Sequence, residues 1–454
     1  MNQPINTKVT LIVSYWWCCF IDLEPPMFSK TLSFLSGVSV LSLAVASPVL
    51  AADLPMRKAK PVEYVKVCST EGEGFFYIPG TNTCLRVGGL VRAESRYFET
   101  KWTTPGDGRA QNATGFRARA WLNMDARTQT EYGLLRTFFR YELNGDTGNY
   151  ANPAIAPGVN RTYSLLEKAF IQFAGITAGR TASFYDFYAN DMNFAEIGGS
   201  ELSQQNVLAY TTSLGKLSIT FGIEDRTLRD TAAGNLVYGG TRSPDIVGSI
   251  RYDDEKGILA AAQLSGALHQ NRVMNRDLAG NYIDSEFGYA IQGGLKFNLP
   301  ALAEGDVLWL QAAYAEGALS YLGANGVPNT LGALNLIHSD ASIINGDLSK
   351  TKGYAFTAAF THYWTPTVRT NVYGSYIGLD YAAAAADPLV GGFRDTRIVQ
   401  AGGALIWSPV ANLDLGAEVL YHHIDPDGSV ALPVTGFRNS EGAVEARLRI
   451  QRGF

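Results

Sequence analysis

GAVEARLRIQRGF, residues 442 to 454, alternates apolar with polar side chains. Val444, Ala446, Leu448, Ile450 and Phe454 fall on one face, and Glu445, Arg447, Arg449 and Gln451 fall on the other. A period of two sends the two rows to opposite sides of a sheet. An edge strand of a soluble sandwich would look the same in isolation. The pattern recurs along the chain, however, and repeated alternation is how a membrane barrel hides its apolar surface.

Composition agrees. With 47 Gly, 11% aromatic residues and only 17% charged residues, the 454-residue chain favours β structure with many turns. Its mean hydropathy of −0.02 is too polar for a helical membrane protein. Beyond the N-terminal region no segment supplies the ~18 uninterrupted apolar residues of a spanning helix. The net charge of −5 lacks the basic footprint of a nucleic-acid binder.

Residues 27 to 51, MFSKTLSFLSGVSVLSLAVASPVLA, carry one Lys, an apolar core and small residues before Ala51. That is the layout of a cleaved secretory signal peptide, and its serines and Pro48 argue against a membrane anchor. Residues 1 to 26, with Cys18, Cys19, Asp22 and Glu24, suit no targeting signal and read as a mis-assigned extension, so translation is expected to start at Met27. Residues 52 to 83 read as a linker and residues 84 to 454 as the barrel. After cleavage two cysteines remain, Cys68 and Cys84. In an oxidising compartment they are expected to pair, which stabilises by roughly 3 kcal/mol in the chain-entropy model. Two free buried thiols are the other reading; no His lies nearby to suggest zinc.

Sixteen strands are predicted, near 84–98, 115–129, 134–143, 164–173, 176–181, 205–213, 216–225, 245–253, 258–269, 284–297, 307–317, 351–364, 367–380, 392–407, 411–423 and 438–454. Every second break is short, as at Ala174-Gly175, Leu214-Gly215 and Thr365-Pro366, and the others are long. Outer-membrane antiparallel barrels have this asymmetry, with tight periplasmic turns and long outer loops. At sixteen strands the lumen is an aqueous channel.

Alternation assigns facing. Leu85, Val87, Val91 and Ala93 turn to lipid, which puts Arg86, Arg92, Glu94 and Arg96 in the lumen. Phe116 to Met124 set Arg117, Arg119, Asn123, Asp125 and Arg127 inward, and the third strand adds Arg136, Arg140 and Glu142. A lipid-facing Arg costs ~2 to 4 kcal/mol at midplane, so the inward choice is strongly favoured. The third long connection, ASFYDFYANDMNFAEIGGSELSQ, holds Asp186, Asp191, Glu196 and Glu201 and no basic residue. Folded inward, it would set carboxylates against the arginine wall and create a transverse field. Lying outside, its acids would merely be solvated.

The stretch CSTEGEGFFYIPGTNTCLRVGGLVRAESRY (68 to 97), the later EKAFIQFAGITAGRTASFYDF and the C-terminal strand resemble the outer-membrane porins of alphaproteobacteria. The aromatic last residue resembles the ending of many outer-membrane barrels; Arg452, where an apolar residue is commoner, departs from it. The resemblance implies a homotrimer of sixteen-stranded barrels in the Gram-negative outer membrane, in contact with lipopolysaccharide and inserted by machinery that reads the last strand. It further implies an inward third loop and passive diffusion of small hydrophilic solutes and ions, without a cofactor. Carried onto this chain, the loop acids would be Asp186, Asp191 and Glu196. The facing bases would come from Arg86, Arg92, Arg117, Arg119, Arg136 and Arg140.

Two other classes compete. A barrel enzyme would need a catalytic constellation, yet His269, His338, His362, His422 and His423 sit in no nucleophile motif. His422 and His423 point to opposite faces of a strand and make a poor metal pair. A non-conducting structural or adhesive barrel would need a plug. The longest connection, from about Ala318 to Lys350, is rich in Gly, Asn and Ala and is expected outside.

Overall fold

In the computed structural model the alternating C-terminal stretch is the last stave of a closed antiparallel barrel. The structure describes residues 66–99, 112–151, 160–231, 235–324, 338–386, 392–428, 430–432, 436–438 and 440–454. The expected signal peptide, the extension before it and residues 52–65 of the expected linker lie outside the described residues. Among the described residues no helix is long and apolar enough to cross a membrane.

The wall begins with β1 (Thr83–Phe98), β2 (Thr114–Thr130), β3 (Gly133–Gly148), β4 (Asn160–Phe173) and β5 (Ile176–Thr181). It continues through β6 (Gln205–Leu214), β7 (Leu217–Glu224), β8 (Asp245–Asp253), β9 (Leu259–Asn271), β10 (Glu286–Asn298) and β11 (Val307–Glu316). The last five strands are β12 (Lys352–Thr365), β13 (Val368–Asp380), β14 (Thr396–Val410), β15 (Leu413–Pro426) and β16 (Glu441–Gly453). Each pairs with its sequence neighbour, and β16 closes the ring on β1 with Ile450 opposite Ala93 and Arg449 opposite Glu94. Alternation is obeyed: Val87, Val91, Phe116, Leu122, Leu448 and Ile450 are exposed to the outside, while Glu94, Asp125, Glu142 and Glu445 are buried inside.

Two-residue turns join five of the seven hairpins at the tight-turn end, the other two connections running 254–258 and 299–306. At Ala174-Gly175 both residues have positive φ, 48° and 85°, a geometry that matches the twist of a tight hairpin. β5 is only six residues long because the chain leaves the wall at Thr181. It enters the lumen as the third loop, residues 182 to 204, and rejoins at Gln205.

Two apolar clusters occupy the lumen beside β9 to β15. In one, Phe187, Tyr188, Met192, Ala195 and Ile197 of the third loop pack on Ala261, Trp309, Ala359, Tyr373 and Leu420 of the wall. Each such buried large side chain contributes on the order of 2 kcal/mol. In the other, the sixth loop joins in. Leu319, Tyr321 and Leu322, all at 0% exposure, pack against Tyr185, Ile377, Leu379, Ile398 and Ile424. This corrects the expectation that Ala318 to Lys350 lies wholly outside. Its average composition is that of an external loop, but the apolar turn Leu319–Leu322 buries itself; residues 325–337 lie outside the described residues.

At the opposite end Cys68 and Cys84 form a disulfide. With Phe75 they make a small core where Phe76 and Tyr77 pair with Leu85 and Cys84. Arg127 and Arg86 lie over the Phe75 ring, at 4.6 and 5.0 Å from its centroid.

Candidate pore constriction

The third loop is held by side chains that point inward from seven consecutive strands. Gln263 on β9 and Gln292 on β10 donate to the carbonyl of Tyr185, at 3.2 and 2.9 Å. Gln311 on β11 accepts from the Tyr188 amide at 2.9 Å, and Thr357 on β12 donates to the Gly198 carbonyl at 2.7 Å. Asn371 on β13 donates to the Met192 carbonyl, and Gln400 on β14 accepts from the Gly198 amide, both at 2.7 Å. Glu418 on β15 takes the amides of Phe194 and Ala195. An irregular segment inside a barrel must have its peptide groups satisfied, and these residues do so one by one.

Local conformation helps. Asn190 has φ 54°, a left-handed conformation that Asn tolerates, and its side chain donates to Glu201 and accepts from the Ile197 amide. Gly199 has φ 117° and its amide donates to the Leu322 carbonyl at 3.1 Å, tying the third loop to the sixth. A Cβ on Gly323 would lie 2.5 Å from the Gly199 nitrogen, so only glycine permits this approach.

Held this way, the loop faces the inner wall of β1 to β4 and β16 across a void of about 550 Å³. The loop lines it with Asn190, Asp191, Glu196 and Glu201, and the wall with Arg92, Arg119, Trp121, Glu142, Arg449 and Gln451. Asp191 and Glu196 are exposed to this space. Burial, then the neighbouring Glu196 charge, pushes the Glu201 carboxyl up to about 8.

Asp186 stands apart. Its carboxylate accepts from the Ser200 hydroxyl and the Leu202 amide and pairs with buried Arg229 at 3.3 Å, so it closes the base of the loop and does not line this void. The six arginines divide by height. Arg92 and Arg119 line the void. Arg117 pairs with Asp146 at 2.7 Å toward the long-loop end. Arg136 and Arg86 gather with Arg127 around Asp125 toward the other end, at 2.9, 3.9 and 3.0 Å. Arg140 lies over Trp121 and reaches Glu167 at 3.4 Å.

The wall is therefore a compensated ladder. Arg119 meets Glu142 at 3.1 Å, Arg449 meets Glu94 at 2.6 Å, and Arg96 and Arg447 share Glu445 at 2.9 and 2.6 Å. Arg447 and Arg449, which also donate to the Phe194 carbonyl, were not among the expected wall residues. Alternation in the last strand had already placed both inward. Trp121, with Arg92, Arg119 and Arg140 at 5.3, 6.0 and 4.9 Å from its ring, also lies on the inward parity of its strand, but an aromatic residue there gave no sign of a role among the arginines.

Comparison with known proteins adds four findings. The profile of the porin subfamily matches residues 53–446. Porin Omp2b of Brucella suis biovar 1 is 30% identical over 329 residues, covering 64% of this chain and 87% of that protein. A putative outer membrane protein of Sinorhizobium fredii is 28% identical over 216 residues, covering 47% of this chain and 60% of its own length. The outer membrane channel DcaP of Acinetobacter baumannii shares the fold, with a TM-score of 0.58 at 17% identity over 83% of this chain and 99% of that one.

Proposed function

The chain belongs to the porin subfamily of alphaproteobacterial outer-membrane proteins, and from that membership we propose that the void between third loop and arginine ladder is the constriction of its channel. The protein is an outer-membrane porin, a water-filled path for passive diffusion of small hydrophilic solutes and ions. On this reading Asp191, Glu196 and Glu201 form the acidic side of the narrowest passage, with Arg92, Arg119 and Arg449 opposite. Opposed fixed charges order water across the passage and sort solutes by size, dipole and charge. The observation that carries the reading is that both sets line one continuous void in the lumen.

The same proposal covers export behind a cleaved signal peptide, assembly as a homotrimer, lipopolysaccharide around the barrel and recognition of β16 by the insertion machinery. It assigns transport without a catalytic step or a cofactor.

The test is the reversal potential of the full mature chain in a planar bilayer under a salt gradient. Asp191→Asn with Glu196→Gln should move it toward anion preference. An unmoved potential in channels that still open would place the constriction elsewhere.

A further inference from the structure

Arg92 differs from its neighbours in the ladder. Each of Arg86, Arg96, Arg117, Arg119, Arg127, Arg136, Arg140, Arg447 and Arg449 has a carboxylate oxygen within 4.0 Å. Arg92 has none among the described residues. Its Nε donates to the Gln451 side chain at 3.1 Å, and its guanidinium lies 5.3 Å from the Trp121 centroid. A neutral amide and an aromatic ring hold it without cancelling its charge. Its two terminal amino groups have no hydrogen-bond partner among the described residues, are not sealed from solvent, and belong to a side chain lining the constriction.

A guanidinium fixed at Nε with both amino groups open is a fork that fits a carboxylate by two parallel hydrogen bonds. The ring behind it limits its rotation. Across the void stand Asp191 and Glu196, suited to an ammonium. We propose that Arg92, positioned by Trp121 and Gln451, is a carboxylate seat that makes the channel favour small zwitterions of the amino-acid type over uncharged solutes of similar size. This rests on the constriction proposed above. Arg92 would act by brief contact with the passing solute, and Trp121 and Gln451 by orienting it.

The experiment is liposome swelling with the full mature chain, comparing L-alanine with glycerol, alongside reversal potentials of the same variants. Arg92→Gln should lower the alanine-to-glycerol rate ratio about threefold or more, the scale of one net hydrogen bond. Arg92→Lys keeps the charge and loses the fork; it should leave the reversal potential near wild type and still lower the ratio. An unchanged ratio in Arg92→Gln, or full retention of it in Arg92→Lys, overturns the seat. Failure of the loop-acid variants to move the reversal potential overturns the constriction instead, so the two failures are distinguishable.

Discussion

Two stretches of one barrel wall face the same lumen and are built on opposite principles. From β1 to β4 and on β16 the inward positions carry arginines interleaved with carboxylates. From β9 to β14 they carry Gln263, Gln292, Gln311, Thr357, Asn371 and Gln400. The first wall borders the void, and its arginines, paired with carboxylates buried behind them, shape the field there. The second wall meets peptide groups of a loop that must be desolvated, and uncharged amides satisfy those at far lower cost than ions would. Glu418, on the adjoining β15, grips the same loop with a charge. Its carboxylate is buried, and it is matched by two loop amides and the Tyr373 hydroxyl. The difference teaches that lumen polarity has two uses, conducting and gripping, and that uncharged side chains do most of the gripping, with Glu418, Arg447 and Arg449 adding charged contacts.

Releasing the grip should have the largest effect. Glu418→Ala strands the Phe194 and Ala195 amides, each worth ~1 to 3 kcal/mol when left unpaired, and removes the tether at the loop tip. Single-channel recordings should then show higher and noisier conductance; unaltered, quiet openings would mean the apolar contacts alone hold the loop. Next comes the ladder. Asp125 serves Arg86, Arg127 and Arg136, so Asp125→Asn should leave three like charges together. The reversal potential should move toward anions and thermal stability fall by roughly 1 to 3 kcal/mol.

A smaller effect is expected from pH. Because the Glu201 carboxyl is raised to about 8, it keeps its proton near neutrality and gains negative charge as pH climbs through that value. Cation preference should therefore rise between about pH 6 and 9, well above the usual carboxylate range. Glu201→Gln should flatten that rise; a curve identical to wild type would assign the titration to another group. Smallest for conduction is the periplasmic clasp. Cys68→Ser should lower stability by ~3 kcal/mol while leaving selectivity alone, since the bond only limits the unfolded chain. A shifted reversal potential would show that the clasp narrows the path.

Much of this was legible in the residues. The sixteen strands lie within a few residues of where alternation and turn length put them; the widest gap is β3, which runs to Gly148 where residue 143 was expected. The lipid and lumen faces follow from the same rule. Asp191 and Glu196 were visible as acids on a loop without bases, and they line the void. Asp186 looked identical in sequence and serves the loop's own base. Only its partners Ser200, Leu202 and Arg229 separate the roles.

What the sequence by itself determined is whatever a strand decides locally: the number of staves, which side chains face lipid, and the excess of arginine on one part of the wall. Period-two alternation is a property of the extended backbone, so it needs no knowledge of distant residues. Tertiary structure alone decided how that excess is spent. Glu94 neutralises Arg449 across 355 positions of chain, and Arg92 is left unneutralised only because Gln451 and Trp121 are its neighbours. It also decided that the apolar turn Leu319–Leu322 enters the lumen and that inward glutamines grip a loop. These outcomes depend on closure of the ring and on where a loop finds partners for its peptide groups. A glutamine that hydrates a pore and one that holds a loop are written with the same letter.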